Sequence, residues 1–103
     1  MYDANKPEYE VVETEVFKNW HKNITDVKTH QKITLKIRKM AYGNFGKTKS
    51  LKDRLFETKI DYGPGYRLYF VNQCKKIIVL LCGGDKGSQQ TDIKQARKMA
   101  KEI

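Results

Sequence analysis

No run of 18 apolar residues occurs in this 103-residue chain, so no membrane-spanning helix is expected. The opening segment MYDANKPEYE is acidic and polar and lacks the charged-then-apolar order of a secretory signal. The expected compartment is therefore the cytoplasm. Cysteine is scarce: Cys74 and Cys82 are the two present, and in that compartment both are expected as free thiols. With no second cysteine pair and no Cys-His spacing, a zinc site has no ligands to draw on. There is no H-E-x-x-H metal motif and no Gly-x-Ser-x-Gly nucleophile motif. Gly83-Gly84-Asp85-Lys86-Gly87-Ser88 has the composition of a phosphate-binding P-loop in the wrong order. No metal and no cofactor is expected. Both histidines, His21 and His30, precede residue 31. Internal repeats and long linkers are also missing. One domain spanning 1–103 follows, large enough to bury roughly 60–70% of its unfolded surface.

Acidic residues are few, 12 against 21 Lys and Arg, for a net charge of +9. Such a balance fits nucleic acid, an acidic partner or an anionic surface. The placement is informative. From Lys28 to Lys52 there are eight Lys or Arg and no Asp or Glu, whereas the stretch up to Glu15 is acidic. A basic patch of this kind is the footprint of a polynucleotide binder, or else simply a solvated surface.

Tyr9 to Glu13 alternates weakly and reads as a short strand. Thr14 is placed to cap a first helix, in which Val16, Phe17, Trp20 and Ile24 share one arc. Trp20 reads as core and His21 as a boundary residue. Asp26 can cap a second helix running to about Ala41, with an apolar face of Val27, Ile33, Ile37, Met40 and Ala41 and His30 packed on the same side. Opposite lies a stripe of Lys28, Lys32, Lys36 and Lys39, whose like charges repel until a polyanion lies alongside. Tyr42 to Gly46 breaks the helix. Leu51 to Ile60 holds at least one strand, and Asp61 to Gly65 turns the chain. In Tyr66 to Val71, Tyr66, Leu68 and Phe70 face one way and Arg67, Tyr69 and Val71 the other. Asn72 to Lys75 makes a second turn. Ile77 to Cys82 is apolar on both faces, as a central strand requires. A Gly83–Lys86 loop follows, and Ser88 is placed to cap a last helix with a core stripe of Ile93, Ala96, Ala100 and Ile103.

The chemistry these residues offer is cationic. Arg67 presents a planar fork suited to phosphate. Lys86 precedes a helix whose free N–H groups attract anions. Tyr69 leaves the same strand face as Arg67, and a phenol can stack on a base or move a proton. The competing reading pairs Arg67 with Glu57 or Asp61 across the strands.

Arg54-Leu55-Phe56-Glu57, Ile60-Asp61-Tyr62-Gly63-Pro64-Gly65-Tyr66-Arg67-Leu68-Tyr69-Phe70 and Leu80-Leu81-Cys82-Gly83-Gly84-Asp85-Lys86 together resemble the RelE/ParE toxin superfamily, and within it the HigB-like addiction module killer proteins. Gln89, Asp92-Ile93 and Gly43-Asn44-Phe45-Gly46 extend the resemblance, which covers roughly Glu8 to Lys101. It implies an α+β fold in the order β-α-α-β-β-β-α, an antiparallel-rich sheet with the two N-terminal helices on one face and a C-terminal helix. It implies a type II toxin restrained by a cognate antitoxin, a small helix-turn-helix DNA-binding protein. Many relatives enter the ribosome and cut mRNA without a metal, by attack of a ribose 2′-OH on the neighbouring phosphorus. On this resemblance Arg67 is the phosphate ligand and Lys86 a second cation. Lys47, Lys49, Lys52 and Arg54, with Lys36 and Lys39 of the stripe, are the RNA and ribosome contacts. The last helix carries neither the Tyr nor the His that some members use there. Tyr69, Asp92 or a lysine is left to carry a proton, or else orientation and electrostatics do most of the work. Two other activities fit the same residues: inhibition of DNA gyrase in the manner of ParE, and RNA or DNA binding without catalysis.

Overall fold

A computed structural model describes residues 6–103; the first five residues of the acidic opening segment lie outside the described residues. β1 (Glu10–Glu13) leads into α1 (Glu15–Lys22) and α2 (Val27–Ala41). Then come β2 (Thr48–Ser50), β3 (Leu55–Ile60), β4 (Tyr66–Gln73), β5 (Ile77–Asp85), a 3₁₀ turn (Lys86–Ser88) and α3 (Gln89–Lys101). The five strands form one sheet in the order β1-β5-β4-β3-β2, parallel between β1 and β5 and antiparallel elsewhere. This is the α+β architecture expected, with the short strand β2 added at one edge.

The helix starts follow local chemistry. Thr14 Oγ1 accepts the Phe17 N–H at 3.1 Å and also donates to the Leu81 carbonyl at 2.6 Å, so one cap both starts α1 and ties it to β5. Asp26 accepts the Thr29 N–H and hydroxyl at 2.9 and 2.7 Å. These two bonds hold its carboxyl below the usual carboxylate range. The last helix departs from expectation. Ser88 makes no side-chain capping bond to α3; instead it forms a capping box with Asp85 around the 3₁₀ turn, Asp85 accepting the Ser88 N–H at 3.2 Å and Ser88 Oγ accepting the Asp85 N–H at 3.3 Å. The Gly83–Lys86 segment is not a loop either, since β5 continues to Asp85. Val27, expected in the core, is 69% exposed, and Ile103 is 47% exposed beyond the end of α3.

The sheet separates two apolar clusters. Under α1 and α2 lie Phe17, Ile33, Met40, Leu68, Phe70, Ile78 and Leu80, with Trp20 and Phe45 at the margin. Under α3 lie Leu55, Tyr69, Val71, Val79, Leu81, Cys82, Ala96 and Ala100. A bulge sets the pattern on β5. Tyr69 pairs with Cys82 and Phe70 with Leu80, which leaves Leu81 as the extra residue. Leu81 and Cys82 therefore both face α3, and Thr14 takes the Leu81 carbonyl that the bulge frees. Past the bulge, a Cβ on Gly83 would strike the Trp20 ring, and one on Gly84 would strike the Asp92 carboxylate. The two glycines let α1 and α3 close on the strand from opposite sides.

Candidate active site

α3 covers only part of its face of the sheet. Its apolar residues sit over Leu55, Val71 and Leu81. Beyond its first turn the alternation of β3 and β4 brings out polar side chains instead. Glu57 stands opposite Tyr69 and Lys59 opposite Arg67 in the register, so all four leave the same face. Lys49 of β2 lies beside Glu57. Two adjoining cavities open there, of ≈ 320 and ≈ 470 Å³, sharing Lys59 and Arg67 in their walls. Lys86 lines the first; Lys47, Lys49, Glu57 and Gln89 line the second. Five cations thus meet two carboxylates, Glu57 and Asp61.

The Gly-Pro-Gly hairpin shapes the rim. Gly63 and Gly65 take φ of +57° and +83°, values that a side chain disfavours. The Gly65 carbonyl accepts an Arg67 guanidinium N–H at 3.2 Å, coupling the turn to the cation. Asp61 is matched by Lys47 at 2.8 Å and Lys59 at 3.2 Å, and these bonds hold its carboxyl below the usual range. The same bond raises the Lys47 ammonium.

Glu57 is the centre of the mouth. Its side chain is 6% exposed; Gln89 donates to it at 3.0 Å, and Lys49 and Arg67 Nε stand 3.7 and 3.9 Å away. The Arg67–Glu57 separation is an electrostatic pair and too long for a hydrogen bond. Among the described residues, two buried side-chain polar atoms have no hydrogen-bond partner, Arg67 Nε and Tyr69 Oη. Buried polar groups are nearly always satisfied by protein or water, and both of these atoms lie around the Glu57 carboxylate.

The other expected site residues separate. Tyr69 faces the same way as Arg67, yet it is fully buried. Burial, then the charge of Glu57, pushes its phenol far above the ordinary value. It underlies the mouth and does not reach into it. Asp92 is held by the Ser88 hydroxyl at 2.5 Å against Gly84; burial raises its carboxyl, and the bond from Ser88 partly offsets this. Lys36 is no part of a solvated stripe: its ammonium donates to the Phe45 and Lys59 carbonyls at 2.7 and 3.3 Å, and burial lowers its pKa. Lys39 lines a separate ≈ 230 Å³ cavity with Lys36 and Lys59. Arg54 caps the far end of α3, donating to the Ala100 and Ile103 carbonyls at 2.8 and 3.3 Å. Lys52, Asp53 and Arg54 form a left-handed turn with φ of 69°, 54° and 70°, and Lys52 is in the wall of neither cavity of the mouth. Glu57, expected only as an ion-pair partner of Arg67, and Lys59 and Gln89 were not among the expected site residues. Period-two alternation from Glu57 carried the signal for Lys59; nothing local marked Gln89, which reaches Glu57 only because α3 folds back across the sheet. Among the described residues no three His, Cys, Asp or Glu side chains gather as metal ligands do, and no helix is long and apolar enough to cross a membrane.

No protein-family model matches the chain. An uncharacterized protein of Haemophilus influenzae is 43% identical over 90 residues, covering 87% of this chain and 91% of that protein. The chain belongs to the same family as that protein. Its fold is that of RelE: the free state of an Escherichia coli RelE toxin carrying two arginine-to-alanine changes superposes with a TM-score of 0.64, at 14% identity, over 88% of this chain and 97% of that one. In this RelE-like fold the polar mouth lies between the β3–β4 hairpin and the first turn of α3.

Proposed function

We propose that this protein is the toxin of a type II toxin–antitoxin pair, of the HigB-like branch, and that it cuts mRNA on the ribosome as an endonuclease. The observation that carries this reading is the under-satisfied cluster at the mouth, a nine-tenths-buried guanidinium beside a buried carboxylate in a concave cationic surface. The RelE-like fold supports it. In the reaction the 2′-oxygen bonds to the adjacent phosphorus, the bond to the 5′-oxygen breaks, and a 2′,3′-cyclic phosphate and a 5′-hydroxyl form. Arg67 neutralises the charge that builds on the phosphorus oxygens. Glu57, oriented by Gln89 and Lys49, accepts the 2′-hydroxyl proton. Lys86, lining the adjoining cavity, donates the proton that turns the departing 5′-oxygen into the 5′-hydroxyl, with Lys59 in the same wall stabilising its charge. Tyr69 and Asp92 serve by position, the one beneath Glu57 and the other bracing the start of α3.

Lys47 and Lys49 at the rim, with Lys52 beyond, dock ribosomal and messenger RNA. The antitoxin, a helix-turn-helix protein with an acidic segment, neutralises the toxin by covering the mouth and the start of α3. The experiment is to map mRNA 5′ ends after brief induction. Cuts in register with codons support the proposal. Intact mRNA together with a DNA-damage response places the chain with gyrase inhibitors instead.

A further inference from the structure

We propose that Tyr62 is a stacking platform for one nucleobase of single-stranded RNA, next to the phosphate position at Arg67. This rests on the RNA reading above and assigns a subsite to it. Tyr62 sits in the β3–β4 hairpin, half-buried, and shares the ≈ 320 Å³ cavity with Arg67, Lys59 and Lys86. Its backbone is pinned on both sides: its N–H donates to the Ile60 carbonyl at 3.0 Å, and its carbonyl accepts the Gly65 N–H at 3.0 Å. The ring is held as well: the Lys32 ammonium stands over one face, 5.2 Å from the centroid, and the side chain packs against the cluster under α1 and α2, so the base takes the face opposite Lys32. A ring fixed in this way loses little entropy when a base settles on it, and every base has a face to offer. The carboxylate in the cavity wall, Asp61, is already matched by Lys47 and Lys59, so it does not repel a phosphodiester strand. Lys59 also borders the ≈ 230 Å³ cavity of Lys32, Lys36 and Lys39. Through Lys59 the cationic surface thus continues from the Arg67 cavity to the Lys32 that stands over Tyr62, a path along which a strand with one phosphate on Arg67 can run.

The test uses uncleavable RNA hexamers, 2′-O-methylated throughout, with a single abasic position moved along the strand. Binding is read by fluorescence anisotropy. One abasic position should weaken binding to the parent and to Tyr62→Phe by about 5–100-fold, the range of base–aromatic stacking. With Tyr62→Leu the intact hexamer should bind more weakly and that abasic penalty should disappear, while the salt slope stays the same. An equal penalty in Tyr62→Leu overturns the platform and leaves the RNA reading standing. No binding of any hexamer by the parent overturns the platform as a free-RNA subsite, while the ribosome-bound reading stands or falls on the mapped mRNA 5′ ends. A measurement on the parent alone guards against misfolding of Tyr62→Leu: 5-bromouracil at the sensitive position should photocrosslink to Tyr62, and crosslinks confined to other residues overturn the proposal.

Discussion

The two faces of the sheet are built to different standards. The face under α1 and α2 is closed, with Phe17, Ile33, Met40, Leu68 and Leu80 fully buried and the Phe70 ring stacked on Phe45 and Phe56 at 5.6 and 5.5 Å. The face under α3 is half closed. Its apolar end resembles the first face, but its other end holds Glu57 and Arg67 nearly buried, 3.9 Å apart and incompletely bonded. A chain selected for stability alone would fill that end with apolar residues, since a buried ion pair rarely outperforms them. One face is thus closed by apolar packing, and the other leaves a nearly buried charged cluster at its open end.

The comparison breaks most sharply at Phe17. Phe17→Ala should destabilise the fold by about 3–5 kcal/mol, as large core truncations do, measured by urea titration; a loss under about 1 kcal/mol would mean that the closed face is not the main anchor. Arg67→Ala should do the reverse. Glu57 keeps Lys49 and Gln89, so the melting temperature should hardly move, while cleavage falls by about 10²–10³, or roughly 3–4 kcal/mol. An unfolded Arg67→Ala would mean that the ion pair is structural. Replacing Lys47, Lys49 and Lys52 with Gln should weaken ribosome binding and flatten its dependence on log salt by up to about 0.9 for each phosphate left unneutralised; an unchanged slope removes these lysines from the interface. Tyr69→Phe deletes a buried hydroxyl with no partner. Its stability should match or exceed the parent's by up to about 1 kcal/mol, and a loss beyond that range would reveal a bond to Glu57. The smallest effect concerns the thiols. Burial, then the charge of Asp92, pushes Cys82 up to about 12, whereas Cys74 is exposed. One thiol should react with a disulfide reagent in the native state and two after denaturation. Because the folded value is raised, the Cys82 contribution is fully present below the ordinary thiol value and is lost only as pH climbs toward 12.

The elements were legible where one local cause decides them. Thr14 and Asp26 cap as their side chains dictate, and the alternation in β4 sends Arg67 and Tyr69 to one face. The features that escaped depend on residues far apart in sequence. Gly83 and Gly84 suggest a loop until Trp20 and Asp92 are seen pressing on them. Lys36 looks like one of a stripe until the Phe45 and Lys59 carbonyls take its ammonium. Arg54 belongs to a basic run in sequence and to the end of α3 in space. At the site, Arg67, Lys86, Lys47 and Lys49 could be picked out by residue type and position. The depth of Tyr69 could not, because burial is set by what α3 lays over the strand.

The central claim is that the half-closed face performs a transesterification on RNA. The direct measurement is the chemistry of the ends left on a ribosome-bound message by the parent and by Arg67→Ala, compared at equal folded fraction. The account predicts 2′,3′-cyclic phosphate and 5′-hydroxyl ends with the parent and about 10²–10³ fewer with the variant. Ends bearing 5′-phosphate, or undiminished cleavage by a folded Arg67→Ala, would contradict it.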